Sequence, residues 1–142
     1  MKARLKWVDG AQFIGEADSG HPVVIDGPVE GGGRNMGLRP MELVLLGTAG
    51  CTAYDVVQIL KKSRQPVRDC TVEIEAERAP EPPRVFTRIH IRFLVSGDGL
   101  SESAVARAVE LSAEKYCSAS IMLGRGGVEI THDFRILSAD GE

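Results

Sequence analysis

Two cysteines carry the residues most capable of chemistry. Cys51 sits inside the nearly uncharged stretch GLRPMELVLLGTAGCTAYDVVQIL, residues 37–60. Cys117 lies between Tyr116 and Ser118, where one helical pattern ends and another begins. A thiol at a helix N-terminus meets the positive end of the helix dipole, which lowers its pKa. Lys115 beside Cys117 pushes the same way. The neighbours of Cys51 are small: Gly47, Ala49, Gly50 and Ala53. Small residues admit another backbone or a ligand at close range. Either cysteine alone is as readily a small core residue. The third, Cys70, falls in strand phase with Val72 and Ile74 and reads as a core side chain.

Taken as a pair, Cys51 and Cys117 say more. If they meet in space they form a buried dithiol, and such a pair in a cytosolic protein is usually catalytic or redox-sensing. The matching reaction is thiolate attack on a peroxide O–O bond. It leaves a sulfenic acid, which the second cysteine condenses to a disulfide. An external dithiol then restores the pair by exchange. No C-x-x-C and no paired Cys/His spacing occurs, and His21, His90 and His132 are scattered, so no metal site is expected.

Bulk properties narrow the class. With 142 residues, 43% of them hydrophobic and 26% charged, the chain is expected to be one globular domain over 1–142. A net charge of −3 gives no basic footprint for nucleic acid. The start, MKARLKWVDG, has no apolar leader core. The longest apolar stretch is interrupted by Glu42, Thr48, Thr52 and Asp55, a poor membrane span. A cytoplasmic location is the expectation.

The elements that must position the thiols follow from periodicity. Alternating patterns predict strands at 2–8, 12–17 and 22–25, an antiparallel meander. A glycine-rich loop follows from Gly27 to Asn35. It lacks the Gly-Lys-Ser/Thr of a phosphate loop. Pro40 suits the first turn of a helix, and Lys61 and Lys62 suit its last, predicting a helix over 40–62. It is apolar almost all round, as in a helix buried on most faces. One small domain covers such a helix poorly, which suggests a partner chain. Strands follow at 67–77 and 85–95, with Ile89, Ile91, Phe93 and Val95 inward. Helices at 101–116 and 118–123 and a last strand at 128–137 complete the order βββ-α-ββ-α-α-β. That is α+β, with a mainly antiparallel sheet and a long buried central helix.

The segments Pro40-Met41-Glu42-Leu43, Gly50-Cys51 and Glu114-Lys115-Tyr116-Cys117 together resemble the OsmC/Ohr family, the osmotically induced and organic hydroperoxide resistance proteins. The nearest likeness is to its YhfA-like branch, through KWVDG, FIGEADSGH, GCTAYDVV and AVARAVELSAEKYCS. The resemblance implies an intertwined homodimer with sites at the interface. It implies Cys51 as the peroxidatic cysteine and Cys117 as the resolving one. Organic hydroperoxides would be the substrates and dithiols of the dihydrolipoyl type the reductant, with no metal or flavin cofactor. The alternative is a non-catalytic redox sensor or binder of a small apolar ligand.

There is one departure. The peroxidase branches carry a glutamate ten residues before the first cysteine, and an arginine that activates the thiolate. Here that position is Met41, and Glu42 is one step later. One step turns a side chain by about 100°, and nine residues span about 13 Å of axis, so Glu42 reaches a Cys51 only across a dimer. Arg39 and Arg34 are the candidate activating cations. Met41, Gly47, Gly50, Tyr54 and Asp55 are the expected pocket residues. Asp55, four residues after Cys51, shares its helix face and would raise the thiol pKa.

Overall fold

The computed structural model describes residues 1–138. The chain forms two compact units, Met1–Val44 and the portion from Leu45 onward. The first unit opens with three strands, β1 (Ala3–Asp9), β2 (Gln12–Ala17) and β3 (Pro22–Ile25), paired antiparallel in that order. Gly10, at φ +52°, supplies the left-handed turn between β1 and β2. The glycine-rich loop then takes one 3-10 turn, Val29–Gly31.

One buried carboxylate organises that loop. Asp26 is 2% exposed. Its oxygens accept the N–H groups of Gly27 (2.7 Å), Arg34 (3.2 Å) and Met36 (3.1 Å). Burial pushes its carboxyl up, but those three donors outweigh burial and hold it below the usual carboxylate range. The loop thus delivers the chain to the long helix α1 (Pro40–Lys62). Arg39 stands before α1, and its backbone N–H donates to Glu42 Oε1 at 2.8 Å. Glu42 is the third helical residue, so this is the acidic half of a capping box.

In the second unit α1 buries one stripe: Thr48, Ala49, Thr52, Val56 and Leu60. The recurring spacing of four keeps these side chains on one face. Other positions remain uncovered. Leu46 is 53% exposed and Tyr54 68%, and a Cβ added at Gly47 or Gly50 would meet open space. Within the second unit, α1 is therefore buried on one side only. By length and composition α1 is apolar enough to cross a bilayer. Its Thr52 hydroxyl, however, lies 2.7 Å from the Ser112 hydroxyl in the interior, the pattern of a core helix.

Strands β4 (Val67–Arg78) and β5 (Phe86–Gly97) form a long antiparallel hairpin, with Cys70 opposite Val95 and Ile74 opposite Ile91. The inward residues of β5, Ile89, Ile91, Phe93 and Val95, are at most 1% exposed. β6 (Glu129–Leu137) runs parallel to β5, pairing Phe93 with Phe134. Among the described residues the strands form two three-stranded sheets, one antiparallel and one mixed, so the pairing is mainly antiparallel, as the sequence suggested, with β5–β6 the parallel exception. A parallel neighbour needs a crossover connection. Here it is α2 (Glu102–Leu111), a π turn (Ser112–Tyr116) and α3 (Ser118–Arg125). Periodicity predicted one helix over 101–116. The regular helix stops at Leu111, because the Cys117 N–H bonds the Ser112 carbonyl five residues back, at 2.8 Å.

Asp26 makes an acid-stability prediction. Its folded pKa is depressed, so its contribution is full above the unfolded value of about 3.9 and is lost as pH falls through the lower folded value. Urea midpoints measured across pH should fall on that acid limb in the native chain. Asp26→Asn should lower the midpoint at neutral pH and flatten the limb; an unchanged limb would contradict the assignment.

Candidate active site

The second unit brings Cys51 and Cys117 together. The sulfurs of Cys51 and Cys117 and a carboxylate oxygen of Asp55 all lie within 4.8 Å of one another. Cys51 and Asp55 come from α1, one turn apart on the same face. Cys117 is the residue before α3. Its backbone is extended (φ −75°, ψ 98°), and its sulfur accepts the Ser120 N–H at 3.4 Å. Cys117 is fully buried and Cys51 is partly accessible.

The start of α3 acts on both sulfurs, with the Ser120 N–H on Cys117 and the Ala119 N–H on Cys51, but only Cys51 is shifted down. Burial pushes the Cys51 thiol up, but the Ala119 backbone N–H, the Ser118 hydroxyl (3.6 Å) and the Cys117 thiol all favour its charged form. Together they hold it below the ordinary thiol range, against the opposing charge of Asp55. Cys117 shifts the other way. Burial pushes it up, and the neighbouring Cys51 adds to that despite the hydrogen bonds from Ser120. The pair therefore loses its first proton at Cys51, while Cys117 stays a thiol and donates to it. The expectation from Cys117's position, a lowered pKa at that residue, is thus reversed. One N-terminal donor, the Ser120 N–H, does reach Cys117, but burial outweighs it there, while the Ala119 N–H serves Cys51. The expected effect of Asp55 is present in sign and is outweighed. Cys70 is a separate case, pushed up by burial and by Asp69.

Asp55 is itself held in place. Ser112, at the head of the π turn, donates from Oγ to Asp55 Oδ2 at 3.0 Å and lies 2.7 Å from Thr52 Oγ1. Sequence reasoning did not find Ser112, because nothing in SAEKY announces a π turn. Ser118 and the Ala119 N–H were also missed, although the expected helix start beside Cys117 was the signal for them. Tyr54 and Asp55 line a groove of about 370 Å³ with Ile59, Lys62, Leu111 and Tyr116.

The remaining predicted residues have their own partners. Arg34 donates from Nη2 to Asp9 Oδ2 at 2.6 Å. Arg39 donates from Nη1 to Asn35 Oδ1 (3.0 Å) and the Gly37 carbonyl (3.3 Å). Glu42 caps α1, and Met41 sits beside it in the first turn. All four belong to the first unit. Among the described residues, no Lys, Arg or His forms an ion pair with Asp55.

With this geometry in view, comparisons with known proteins fix the family. The OsmC-like protein family model matches residues 31–133. The chain is 49% identical to Protein YhfA of Escherichia coli (strain K12) over 142 residues, covering 98% of this chain and 100% of the relative. A solved hypothetical protein from Aquifex aeolicus VF5 is 30% identical with a TM-score of 0.80, covering 96% of each chain. The organic hydroperoxide resistance protein OhrB of Bacillus subtilis shares the fold at 19% identity, with a TM-score of 0.62 over 95% of this chain and 98% of that one. The chain belongs to the OsmC-like family.

Thiol reactivity tests the assignment of the charge. Iodoacetamide should label Cys51 first, with a half-maximal pH below the ordinary thiol value of about 8.5. Ser118→Ala should move that midpoint upward. Matching pH profiles for Cys51 and Cys70, measured by peptide mass spectrometry, would contradict it.

Proposed function

We propose that the protein reduces organic hydroperoxides through Cys51 and is recycled through Cys117. The observation that carries this reading is the unequal dithiol: a lowered Cys51 thiol beside a buried, raised Cys117 thiol, within 4.8 Å. The Cys51 thiolate attacks one oxygen of ROOH, and the O–O bond breaks. The alkoxide leaves and takes a proton to become ROH. Cys51 becomes a sulfenic acid. The Cys117 thiol then attacks the Cys51 sulfur, a disulfide forms, and water leaves. A dithiol of the dihydrolipoyl type reduces the disulfide by exchange and is itself oxidised to a cyclic disulfide.

The groove beside Asp55, with Tyr54, Ile59, Leu111 and Tyr116 on its walls, suits the carbon portion of an organic peroxide. The chain works as a homodimer in this reading. A second copy of α1 covers exposed Leu46 and Tyr54 and fills the open space at Gly47 and Gly50. Glu42, Arg39 and Arg34 then act, if on any thiol, on the partner's site. The donors at the start of α3 supply the thiolate stabilisation available within one chain.

A second reading is favoured by Asp55, a carboxylate beside the thiolate that no described cation pairs. In it the dithiol forms a disulfide once, as a redox sensor, without rapid turnover.

The test is consumption of cumene hydroperoxide in the presence of dihydrolipoamide. The native chain should turn over repeatedly. Cys51→Ser should fall to the uncatalysed rate. With no dithiol added, Cys117→Ser should consume about one equivalent and leave a sulfenic acid that dimedone traps. Equal rates for native and Cys51→Ser protein would remove the peroxidase reading, and a single stoichiometric disulfide in the native chain would select the sensor.

A further inference from the structure

The same side chains have a second capacity. We propose that the reduced site captures one soft divalent cation of the zinc type, held by Cys51 Sγ, Cys117 Sγ and an Asp55 carboxylate oxygen. This rests on the same dithiol as the proposed function but not on any reaction with peroxide.

Geometry is the first argument. A tetrahedral zinc site with bonds of about 2.0–2.3 Å separates its ligand atoms by about 3.5–3.8 Å. The three ligand atoms here already lie within 4.8 Å of one another. Small side-chain rotations close the remaining gap. Two sulfurs and one carboxylate suit a soft or borderline cation such as zinc rather than calcium or magnesium, which prefer all-oxygen shells.

Second, the carboxylate is oriented from behind. Ser112 Oγ donates to Asp55 Oδ2 at 3.0 Å, and Ser112 Oγ lies 2.7 Å from Thr52 Oγ1. A metal-ligating carboxylate is commonly held in this way by an outer partner.

Charge is the third argument. Two sulfurs and a carboxylate lie together, and among the described residues no side chain supplies a cation to Asp55 by an ion pair. Sequence spacing could not reveal this set. Two ligands lie four residues apart on α1, and the third comes from the end of the π turn. Three protein ligands leave a fourth position open for water or a small anionic ligand. Capture of the cation opposes reaction with peroxide, because a thiolate that shares a lone pair with the metal is a weaker nucleophile. Forming the Cys51–Cys117 disulfide removes both sulfur ligands, so the site exists only in the reduced chain.

The experiment titrates the reduced full chain with Co²⁺ and with Zn²⁺, alongside the disulfide-oxidised chain. The expected result is one ion per chain, with thiolate-to-cobalt charge-transfer absorption and tetrahedral visible bands that zinc displaces. Zinc should protect Cys51 from iodoacetamide, and a chelator should restore labelling. Cys51→Ser and Cys117→Ser should each lose the charge-transfer intensity of one thiolate. Ser112→Ala should weaken zinc binding by about 10–100-fold. Binding that survives in the oxidised chain or in the Cys51→Ser/Cys117→Ser double variant would overturn the proposal. So would the absence of charge-transfer absorption in a reduced chain that still reduces peroxide. A chain that binds zinc in this way but never consumes peroxide would instead refute only the peroxidase reading.

Discussion

The hydrogen bond between Thr52 and Ser112 is the interaction on which the site depends. Both residues are buried, at 0% exposure, so neither hydroxyl has water as an alternative. A neutral hydrogen bond of this kind contributes about 1 kcal/mol net, and breaking one side strands the other at a cost of about 1–3 kcal/mol. It ties the interior stripe of α1 to the head of the π turn. Ser112 also holds Asp55, and its carbonyl receives the Cys117 N–H. One serine thereby sets the register of the turn, the orientation of the carboxylate and the position of the second thiol.

The division of labour between the two sulfurs follows from how backbone donors are shared. The start of α3 has N–H groups with no partner inside the helix. Ser120's goes to Cys117 and Ala119's goes to Cys51. A donor aimed at a sulfur favours the thiolate, while burial disfavours it. For the partly accessible Cys51 the donors win. For the fully buried Cys117 burial wins, and the negative neighbour reinforces it. The asymmetry thus arises from about one helical turn of backbone and a difference in exposure.

Much of the frame was legible in the sequence. The bounds of β2, β3 and α1 match those read from alternation, Pro40 and the terminal lysines. The inward set on β5 was visible as a period of two. Less visible were features that depend on distant partners. The parallel pairing of β6 is decided by the crossover and not by the composition of β6 itself, which alternates like any half-buried strand. Glu42 looked like a catalytic acid out of phase, because its capping of the Arg39 N–H uses the same residue type at a helix start. The π turn was hidden for the reason that hides most of them: its residues fit an ordinary helix, and the tertiary bonds of Ser112 select the wider turn.

The parallel strand β6 has a consequence for how the chain acquires its chemistry. Its crossover carries Cys117, and both ends of that crossover are anchored in one sheet, at β5 and β6. Contacts so far apart in sequence form late, because the loop between them must close first. In the unfolded chain Cys51 and Cys117 lack these partners and titrate as ordinary thiols. The lowered thiol of Cys51 is thus a property of the folded chain, because its Ser118 partner lies 67 residues away along the sequence.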